Sequence, residues 1–236
     1  MKAVIQAGGK GTRLAPYTLI LPKPMMPVGD QPVIEILIKW LRRNSIEEAC
    51  ITTGHLAHLI KAFCQDGEQW GMKIHYCQEP EPLGTVGSLQ LIKEHLTEPF
   101  LMLNGDLITD LDLMAFKKCH EDSGASLSIA TTIKSVNIDL GVLETDNSRV
   151  TAFREKPTLP MEVSMGLYIM NPEILEYIPR GVPFGFDNLM HALLSKDIAV
   201  NTFRHDGRWM DIGRVDDFEK AQDEWTEHHE NPMLGV

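Results

Sequence analysis

Long hydrophobic runs are missing from this 236-residue sequence. No stretch reaches the roughly 18 apolar residues that a membrane-spanning helix needs. The apolar run at the N-terminus is short and is broken at Gln6, whereas the hydrophobic region of a secretory signal is longer. We therefore expect no membrane partner and no export.

Cysteine is also scarce, with four residues and no Cys-x-x-Cys pair. A zinc ribbon needs closely spaced cysteines, and a disulfide-stapled fold needs a higher density of them. Scattered single cysteines are typical of a reducing compartment, so the sequence predicts a cytoplasmic protein. The four residues are Cys50, Cys64, Cys77 and Cys119.

Positive charge is in deficit, because 22 Lys and Arg residues stand against 33 Asp and Glu residues and give a net charge of −11. An acidic surface repels the phosphate groups of nucleic acids and of anionic lipids. The composition therefore predicts no nucleic-acid partner. A small basic pocket for a compact anion is compatible with it.

Short strand-type segments alternate with longer helical ones through the first half of the sequence. This alternation predicts a mostly parallel sheet with helices on both faces. The predicted strands cover residues 2–7, 48–53, 73–77, 99–103 and 126–131. The predicted helices cover residues 32–43, 58–64, 85–95 and 111–121.

The pattern changes after about residue 132, where short strands are joined by turn-rich segments. Strands are predicted at 141–144, 149–154, 163–170 and 199–203, and helices at 171–177, 187–195 and 215–227. No Gly/Ser/Pro-rich linker separates the halves. We therefore predict one α/β domain over residues 1–228, Rossmann-like and three-layered, with a mostly parallel mixed sheet. A frayed tail is expected at 229–236.

A glycine-rich segment, Gly-Gly-Lys-Gly-Thr-Arg at residues 8–13, follows the first predicted strand directly. Glycines let backbone N–H groups approach an anion closely, and the Arg13 guanidinium offers paired donors that suit a phosphate. Lys23 follows between two prolines, which restrict the backbone that carries its ammonium group. A purely structural turn is the alternative for the glycines taken alone.

Two familiar phosphate-binding motifs do not fit this segment. A Walker A loop requires Ser or Thr after its Gly-Lys, but Lys10 is followed by Gly11. A dinucleotide fingerprint requires a third glycine where Leu14 stands, and an acid closing the second strand, where 52–53 are threonines. A Rossmann-type oxidoreductase is therefore disfavoured.

Two aspartates are candidate ligands for a hard metal ion. Asp106 follows a predicted strand at its carboxyl end, where open α/β sheets bind ligands, although it could instead cap the following loop. Asp211 lies in the segment Trp-Met-Asp-Ile-Gly, far along the chain. Sequence alone cannot pair these two acids.

The segment at residues 8–14, together with Pro-Tyr-Thr at 16–18 and Pro-Lys-Pro-Met at 22–25, resembles the opening motif of the sugar-1-phosphate nucleotidylyltransferases. Further segments match that family in order, namely Leu-Gly-Thr-Val-Gly at 83–87, Asp-Leu-Gly-Val at 139–142, Glu-Lys-Pro at 155–157 and Ser-Met-Gly-Leu-Tyr at 164–168. The resemblance covers residues 1 to about 217. Gln6 departs from it, because the family usually carries an aliphatic residue there.

The resemblance implies that a sugar 1-phosphate oxygen attacks the α-phosphate of a nucleoside triphosphate and that pyrophosphate leaves. It implies catalytic roles for Arg13 and Lys23, and Mg²⁺ held by Asp106 and Asp211. It assigns the nucleotide to residues 1–131 and the sugar to residues 132–228. The implied nucleotide-binding residues are Ala7, Gly8, Gly9, Gly11, Thr12, Gln78, Gly84, Thr85 and Asp106. The implied sugar phosphate-binding residues are Gly141, Glu155, Lys156 and Gly166.

The Leu-Gly-Thr-x-Gly form of the 83–87 loop is common among the guanylyltransferases of this family, so the resemblance favours GTP. A uridylyl- or thymidylyltransferase and a non-catalytic nucleotide-sugar-binding regulatory protein are the alternatives. The sequence does not identify the sugar. It also does not decide whether the protein forms a homo-oligomer. Because the sequence ends soon after the last predicted helix, we expect no C-terminal β-helix of the kind that larger members carry.

Overall fold

The computed structural model describes residues 1–227. Its strands are β1 (Ala3–Ala7), β2 (Pro27–Val28), β3 (Gln31–Pro32), β4 (Glu48–Thr53), β5 (Lys73–Gln78), β6 (Phe100–Asn104), β7 (Leu107–Thr109), β8 (Leu127–Asn137), β9 (Val142–Asp146), β10 (Arg149–Arg154), β11 (Thr158–Met170), β12 (Val200–Arg204) and β13 (Trp209–Asp211). Its α-helices are α1 (Val33–Arg43), α2 (Ala57–Cys64), α3 (Gly84–Gly87), α4 (Leu113–Ser123), α5 (Phe186–Leu194) and α6 (Val215–Glu227). Short 3₁₀ helices cover Thr12–Leu14, Tyr17–Leu19, Lys23–Met25, Glu68–Trp70, Ser88–Leu91, Lys93–His95 and Pro172–Tyr177.

Seven strands form the central sheet in the order β12-β8-β11-β6-β1-β4-β5. The pairs β12–β8, β6–β1, β1–β4 and β4–β5 are parallel. The strand β11 runs antiparallel to both of its neighbours, β6 and β8. The predicted mostly parallel mixed sheet is thus confirmed, and strands from both halves of the chain share it.

Alternation along the strands places a hydrophobic core on each face of the sheet. In β1, Ala3 and Ile5 pack into one cluster with α1, α4 and α6, and Val4 packs into the other with α5 and the segment after α3. All three residues are fully buried. Successive side chains of a strand point to opposite faces of the sheet, and here helices cover both faces. The result is the predicted three layers, with the sheet between two layers of helices.

Two predicted helices are wrong in kind or extent. The predicted helix 85–95 is divided into α3 and two 3₁₀ helices, because the backbone leaves helical geometry at Ile92, where φ is −120°. The predicted helix 171–177 is the 3₁₀ helix Pro172–Tyr177. The strands predicted at 126–131 and 163–170 are also longer, because β8 and β11 continue outwards as a two-stranded ribbon.

The four cysteines are free thiols. Burial raises the pKa of the Cys64 thiol to about 12, so this thiol is unreactive at neutral pH. Within residues 1–227, no helix is both long enough and apolar enough to cross a membrane. The predicted frayed tail at 229–236 lies outside the described residues.

Candidate active site

The glycine-rich segment turns away from the end of β1 and forms the floor of a cavity. Gly11 has a φ of +61°, and a Cβ added there would lie 2.9 Å from Thr18 Cγ2, so this position requires glycine. The Gly11 carbonyl accepts hydrogen bonds from Leu14 N and from the Thr18 hydroxyl, both at 2.9 Å. These bonds hold the loop in its turn without any ligand.

The cavity measures about 450 Å³, a size that suits a small-molecule ligand. It gathers most of the residues that the sequence predicted for nucleotide binding and catalysis. These are Ala7, Gly8, Gly9, Gly11, Thr12, Arg13, Lys23, Gly84, Thr85 and Asp106. Residues that the sequence analysis did not assign also line it, namely Gln6, Pro24, Glu79, Pro82 and Asn104.

Lys23 begins a 3₁₀ helix between two buried prolines, Pro22 and Pro24. Met25 N donates to the Pro22 carbonyl at 2.8 Å, and Met26 N donates to the Lys23 carbonyl at 3.1 Å. Restricted proline backbones and these two bonds fix the base of the lysine side chain. Its ammonium group therefore points into the cavity, with only 14% of the side chain exposed.

A small two-stranded sheet brings the two candidate metal ligands together. Asp106 immediately precedes β7, and β13 ends at Asp211, which lies opposite Leu107 in the antiparallel ladder. Ile212 N donates to the Asp106 carbonyl at 2.9 Å. The two carboxylates are thus neighbours in space although far apart in the chain.

Further contacts hold β13 in place. The Asp110 carboxylate accepts hydrogen bonds from Arg208 N at 2.8 Å and from the His205 ring at 2.9 Å. The Trp209 indole N–H donates to the Met165 carbonyl at 2.8 Å. Trp209 therefore has a structural role beside the candidate metal ligands.

The Lys23 ammonium group lies between the two carboxylates. It forms an ion pair with Asp106, and Asp211 Oδ1 is 3.9 Å away. Burial raises the pKa of the Asp211 carboxyl group, and the neighbouring Asp106 carboxylate adds to the rise. The cluster therefore holds two carboxylates against one cation, and an additional positive charge would be favoured there.

The donor set fits Mg²⁺ that binds together with a polyphosphate. Asp106 Oδ1 is buried and has no hydrogen-bond partner within residues 1–227. In that part of the chain, no group of three or more His, Cys, Asp or Glu side chains forms a metal site. Mg²⁺ usually takes one or two protein carboxylates and completes its shell with phosphate oxygens and water.

A second cavity, of about 380 Å³, has one carboxylate of this pair, Asp211, in its lining. Asp106 lines the first cavity and Asp211 lines the second, so the pair and Lys23 lie where the two meet. Basic and aromatic side chains also line the second cavity, namely Lys134, Trp209 and Lys220. Two cavities that meet at a charged cluster suit a reaction between two bound molecules.

The loop before α3 is held rigidly at the first cavity. The Glu79 carboxylate accepts a hydrogen bond from Leu83 N at 2.8 Å, and burial raises the pKa of Glu79. Val86 N and Gly87 N both donate to the Phe184 carbonyl at 3.1 Å. Gly84 and Thr85 are thereby fixed at the cavity wall.

The remaining predicted residues lie further away or in a different region. Gln78 ends β5, outside the lining of the first cavity, and accepts a hydrogen bond from Lys61 at 2.9 Å. Gly141 and Glu155 lie side by side at the open end of the β9–β10 hairpin, and Lys156 follows directly. Gly166 packs against Asn104, which lines the first cavity.

Two comparisons with known proteins agree on the family. The family model described as nucleotidyl transferase matches residues 2–228. The chain is 35% identical, over 94% of its length, to a UTP–glucose-1-phosphate uridylyltransferase from Synechocystis. It is 32% identical, over 92% of its length, to a mannose-1-phosphate guanylyltransferase catalytic subunit beta from Dictyostelium discoideum.

A solved structure supports the fold. It comes from Bacillus anthracis, is described as a candidate glucose-1-phosphate thymidylyltransferase, and superposes with a TM-score of 0.79 at 22% identity. The match covers 99% of this chain and 98% of that one. The two curated relatives are longer proteins, and the match spans 62% of the length of each.

Proposed function

Because the chain belongs to the nucleotidyl transferase family, we propose that it transfers a nucleoside monophosphate from a nucleoside triphosphate to a sugar 1-phosphate. One observation carries this proposal, which is the position of Lys23, Asp106 and Asp211 where two cavities meet. A reaction of two phosphate compounds needs such a shared charged centre. The two named relatives act on the same class of substrates.

The nucleoside triphosphate binds in the first cavity. Backbone N–H groups of the glycine-rich loop and the Arg13 guanidinium hold the phosphates, because closely approaching N–H groups and a planar guanidinium suit their oxygens. Gly84 and Thr85 lie against the nucleobase. Gln78 is also proposed to bind the nucleotide. Its side chain accepts a hydrogen bond from Lys61 in the ligand-free protein and would have to leave that bond to reach the nucleotide.

In the reaction, a phosphate oxygen of the sugar 1-phosphate attacks the α-phosphorus in line. The new P–O bond forms as the bond to the β-phosphate oxygen breaks, so the products are a nucleoside diphosphate sugar and pyrophosphate. Lys23 stabilises the negative charge that gathers around the α-phosphate. Phosphoryl-type transfers depend chiefly on positioning and on such electrostatic stabilisation.

Asp106 and Asp211 are the residues that would hold Mg²⁺ together with the triphosphate. The ion would supply neutralisation of the phosphate charges and orientation of the triphosphate. The unpaired Asp106 Oδ1 is the observation that supports a ligand role for this residue.

The sugar 1-phosphate is placed in the second half of the chain, residues 132–228. Gly141, Glu155, Lys156 and Gly166 bind the sugar and its phosphate as the family resemblance implies. The adjacency of Gly141 and Glu155 supports this part of the proposal, because it groups a backbone N–H with a carboxylate that can accept from sugar hydroxyls.

We favour GTP as the nucleotide, on the Leu-Gly-Thr-Val-Gly form of the 83–87 loop. The two named relatives differ on this point, since one is a uridylyltransferase and the other a guanylyltransferase. A cytoplasmic location belongs to the same proposal, with the four cysteines kept as thiols.

Pyrophosphate release by the purified protein tests the proposal. The assay contains Mg²⁺ and crosses GTP, UTP, dTTP, CTP and ATP with a panel of sugar 1-phosphates. We expect turnover with GTP and one sugar 1-phosphate, dependent on Mg²⁺. Asp106→Asn is the matched control, and it should abolish turnover without unfolding the protein.

The other outcomes are equally informative. Turnover with UTP or dTTP alone would keep the reaction and overturn the choice of base. A folded protein that gives no turnover but is stabilised against heat by one nucleotide sugar would be a binding protein, not an enzyme.

A further inference from the structure

The side chain of Gln6 ends at the wall of the first cavity and leaves one polar atom unpaired. Gln6 Oε1 accepts hydrogen bonds from the Thr52 hydroxyl at 2.8 Å and from the Ser88 hydroxyl at 3.1 Å. Gln6 Nε2 is buried and has no hydrogen-bond partner among residues 1–227. The residue that departs from the family pattern therefore lines the first cavity and carries an unpaired donor.

In the structure, the oxygen end of the Gln6 amide faces the two hydroxyl groups. Both donate to the oxygen, so the NH₂ group is directed away from Thr52 and Ser88. A buried donor without a partner disfavours the unliganded protein, and a ligand that supplies an acceptor removes this cost on binding. The arrangement thus favours a ligand atom that accepts a hydrogen bond.

The position of Gln6 indicates which part of a nucleotide this atom belongs to. Ser88 directly follows α3, and α3 begins with Gly84 and Thr85 at the same cavity wall. The cations Arg13 and Lys23 serve the phosphates. The Gln6 amide therefore lies with the elements proposed for the nucleoside.

We propose that Gln6 is a specificity-determining residue whose Nε2 donates a hydrogen bond to an acceptor of the bound nucleoside. The acceptor is either a ribose hydroxyl or a base oxygen or ring nitrogen. This inference rests on the proposed function, since it requires a nucleoside triphosphate in the first cavity. An aliphatic side chain at this position could make only apolar contact with the same atoms.

Calorimetric titration of the full-length chain tests the role of Gln6 without turnover. The ligands are GTP, dGTP, UTP, dUTP and inorganic pyrophosphate, in the absence of any sugar phosphate. The proteins are the wild type, Gln6→Leu, Gln6→Glu and the control Gln69→Leu, whose side chain is exposed. Heat unfolding of each protein confirms that it is folded.

We expect Gln6→Leu to bind nucleoside triphosphates roughly three- to tenfold more weakly, the effect of one lost neutral hydrogen bond. Gln6→Glu should bind more weakly still, because a carboxylate would face the acceptor and add negative charge to the cavity. Pyrophosphate binding should be the same for Gln6→Leu, Gln69→Leu and the wild type. Ser88→Ala, which releases Oε1, should show a smaller loss than Gln6→Leu and provides a second variant.

The deoxynucleotides distinguish the two acceptors. An equal loss for GTP and dGTP would assign the bond to the base or to the 3′-hydroxyl, and a loss confined to GTP and UTP would assign it to the 2′-hydroxyl. If Gln6→Leu binds every nucleotide as tightly as the wild type, or loses pyrophosphate affinity equally, the Gln6 proposal is wrong. If the wild type binds pyrophosphate but no nucleoside triphosphate, the proposed function falls with it.

Discussion

Lys23 is the residue on which the proposed chemistry of the site depends. Its ammonium group contacts one carboxylate and lies 3.9 Å from a second, in a place where the side chain is only 14% exposed. A cation held in this way costs little reorganisation when negative charge develops nearby. The same position also means that Lys23 partly compensates the negative charge of Asp106 and Asp211 in the unliganded protein.

Lys23→Ala should lower kcat by roughly two orders of magnitude or more, the usual effect of removing one preorganised charge-stabilising group. It should also leave two adjacent carboxylates without their cation, so added Mg²⁺ alone should raise the Tm of the variant more than that of the wild type. Steady-state kinetics and heat unfolding measure both effects. Lys118→Ala, in an exposed ion pair with Asp122 on α4, is the control. A kcat within about threefold of the wild type would contradict the role.

Glu79 provides a test of electrostatics at the same cavity. Burial raises the pKa of Glu79 above its ordinary value of 4.5. The carboxyl group is then harder to ionise in the folded state than in the unfolded state. As the pH rises from the unfolded-state pKa through the higher folded-state pKa, ionisation therefore lowers the free energy of unfolding. Glu79→Gln keeps an oxygen for Leu83 N and removes the charge, so it should raise the Tm of the ligand-free protein at pH 7.

The gain from Glu79→Gln should shrink as the pH falls towards 4.5, where the wild-type carboxyl group becomes protonated in both states. Heat unfolding across a pH series measures the difference in Tm. Glu98→Gln, at an exposed loop position, is the control. A difference that grows towards acidic pH would show that the ionised form of Glu79 stabilises the fold.

At the scale of elements, the structure shows how short segments complete the site. The strands β7 and β13 have three residues each, yet they place Asp211 beside Asp106. Three residues are too few to show a hydrophobic period, so the sequence alone could not pair them. The glycine-rich loop, Lys23 and the strand before Asp106 could be predicted, because each is encoded by neighbouring residues.

In the segment after Gly84, the sequence predicted an element that the structure does not contain as one helix. Its apolar spacing predicted one helix over 85–95, but the backbone leaves helical geometry at Ile92, where φ is −120°. Apolar spacing alone carries no signal for such a local change of backbone angle. Gln6 is similar, since its sequence position could be noted as unusual, while its unpaired Nε2 depends on Thr52 and Ser88 from other elements.

Gly84→Ala tests whether this element positions the nucleotide. Gly84 has a φ of +75°, and a Cβ added there would lie 2.8 Å from the Phe184 carbonyl oxygen, so the loop must shift. We expect a loss of stability of about 1–2 kcal/mol from the backbone conformation alone, more from the clash, and a raised KM for the nucleotide.

Gly124→Ala is the matched control for this prediction. Gly124 has a φ of +64° at the end of α4, and no atom lies within 4 Å of an added Cβ. It should show the conformational cost alone, with the KM unchanged. Urea unfolding and steady-state kinetics separate the two variants, and equal KM values for both would show that the α3 loop does not hold the nucleotide.

At the scale of the whole molecule, the two halves are built into one sheet. The strand β6 of the first half lies between β1 and β11, with Leu101 and Leu103 opposite Ile169 and Leu167. Helices of the second half also complete both hydrophobic clusters, α6 on one face and α5 on the other. Neither half therefore has a complete core of its own.

We predict that the chain unfolds in one cooperative transition and that residues 1–131 do not fold alone. The tryptophans report on both halves, since Trp40 and Trp70 lie in the first and Trp209 and Trp225 in the second. Urea transitions followed by tryptophan fluorescence and by far-UV circular dichroism should therefore coincide. A folded 1–131 fragment, or two separated transitions, would instead divide the chain into independent domains. The two cavities meet at Lys23, Asp106 and Asp211, where the two halves join. If the chain unfolds in one transition, nucleotide and Mg²⁺ should therefore shift that whole transition to higher urea concentration.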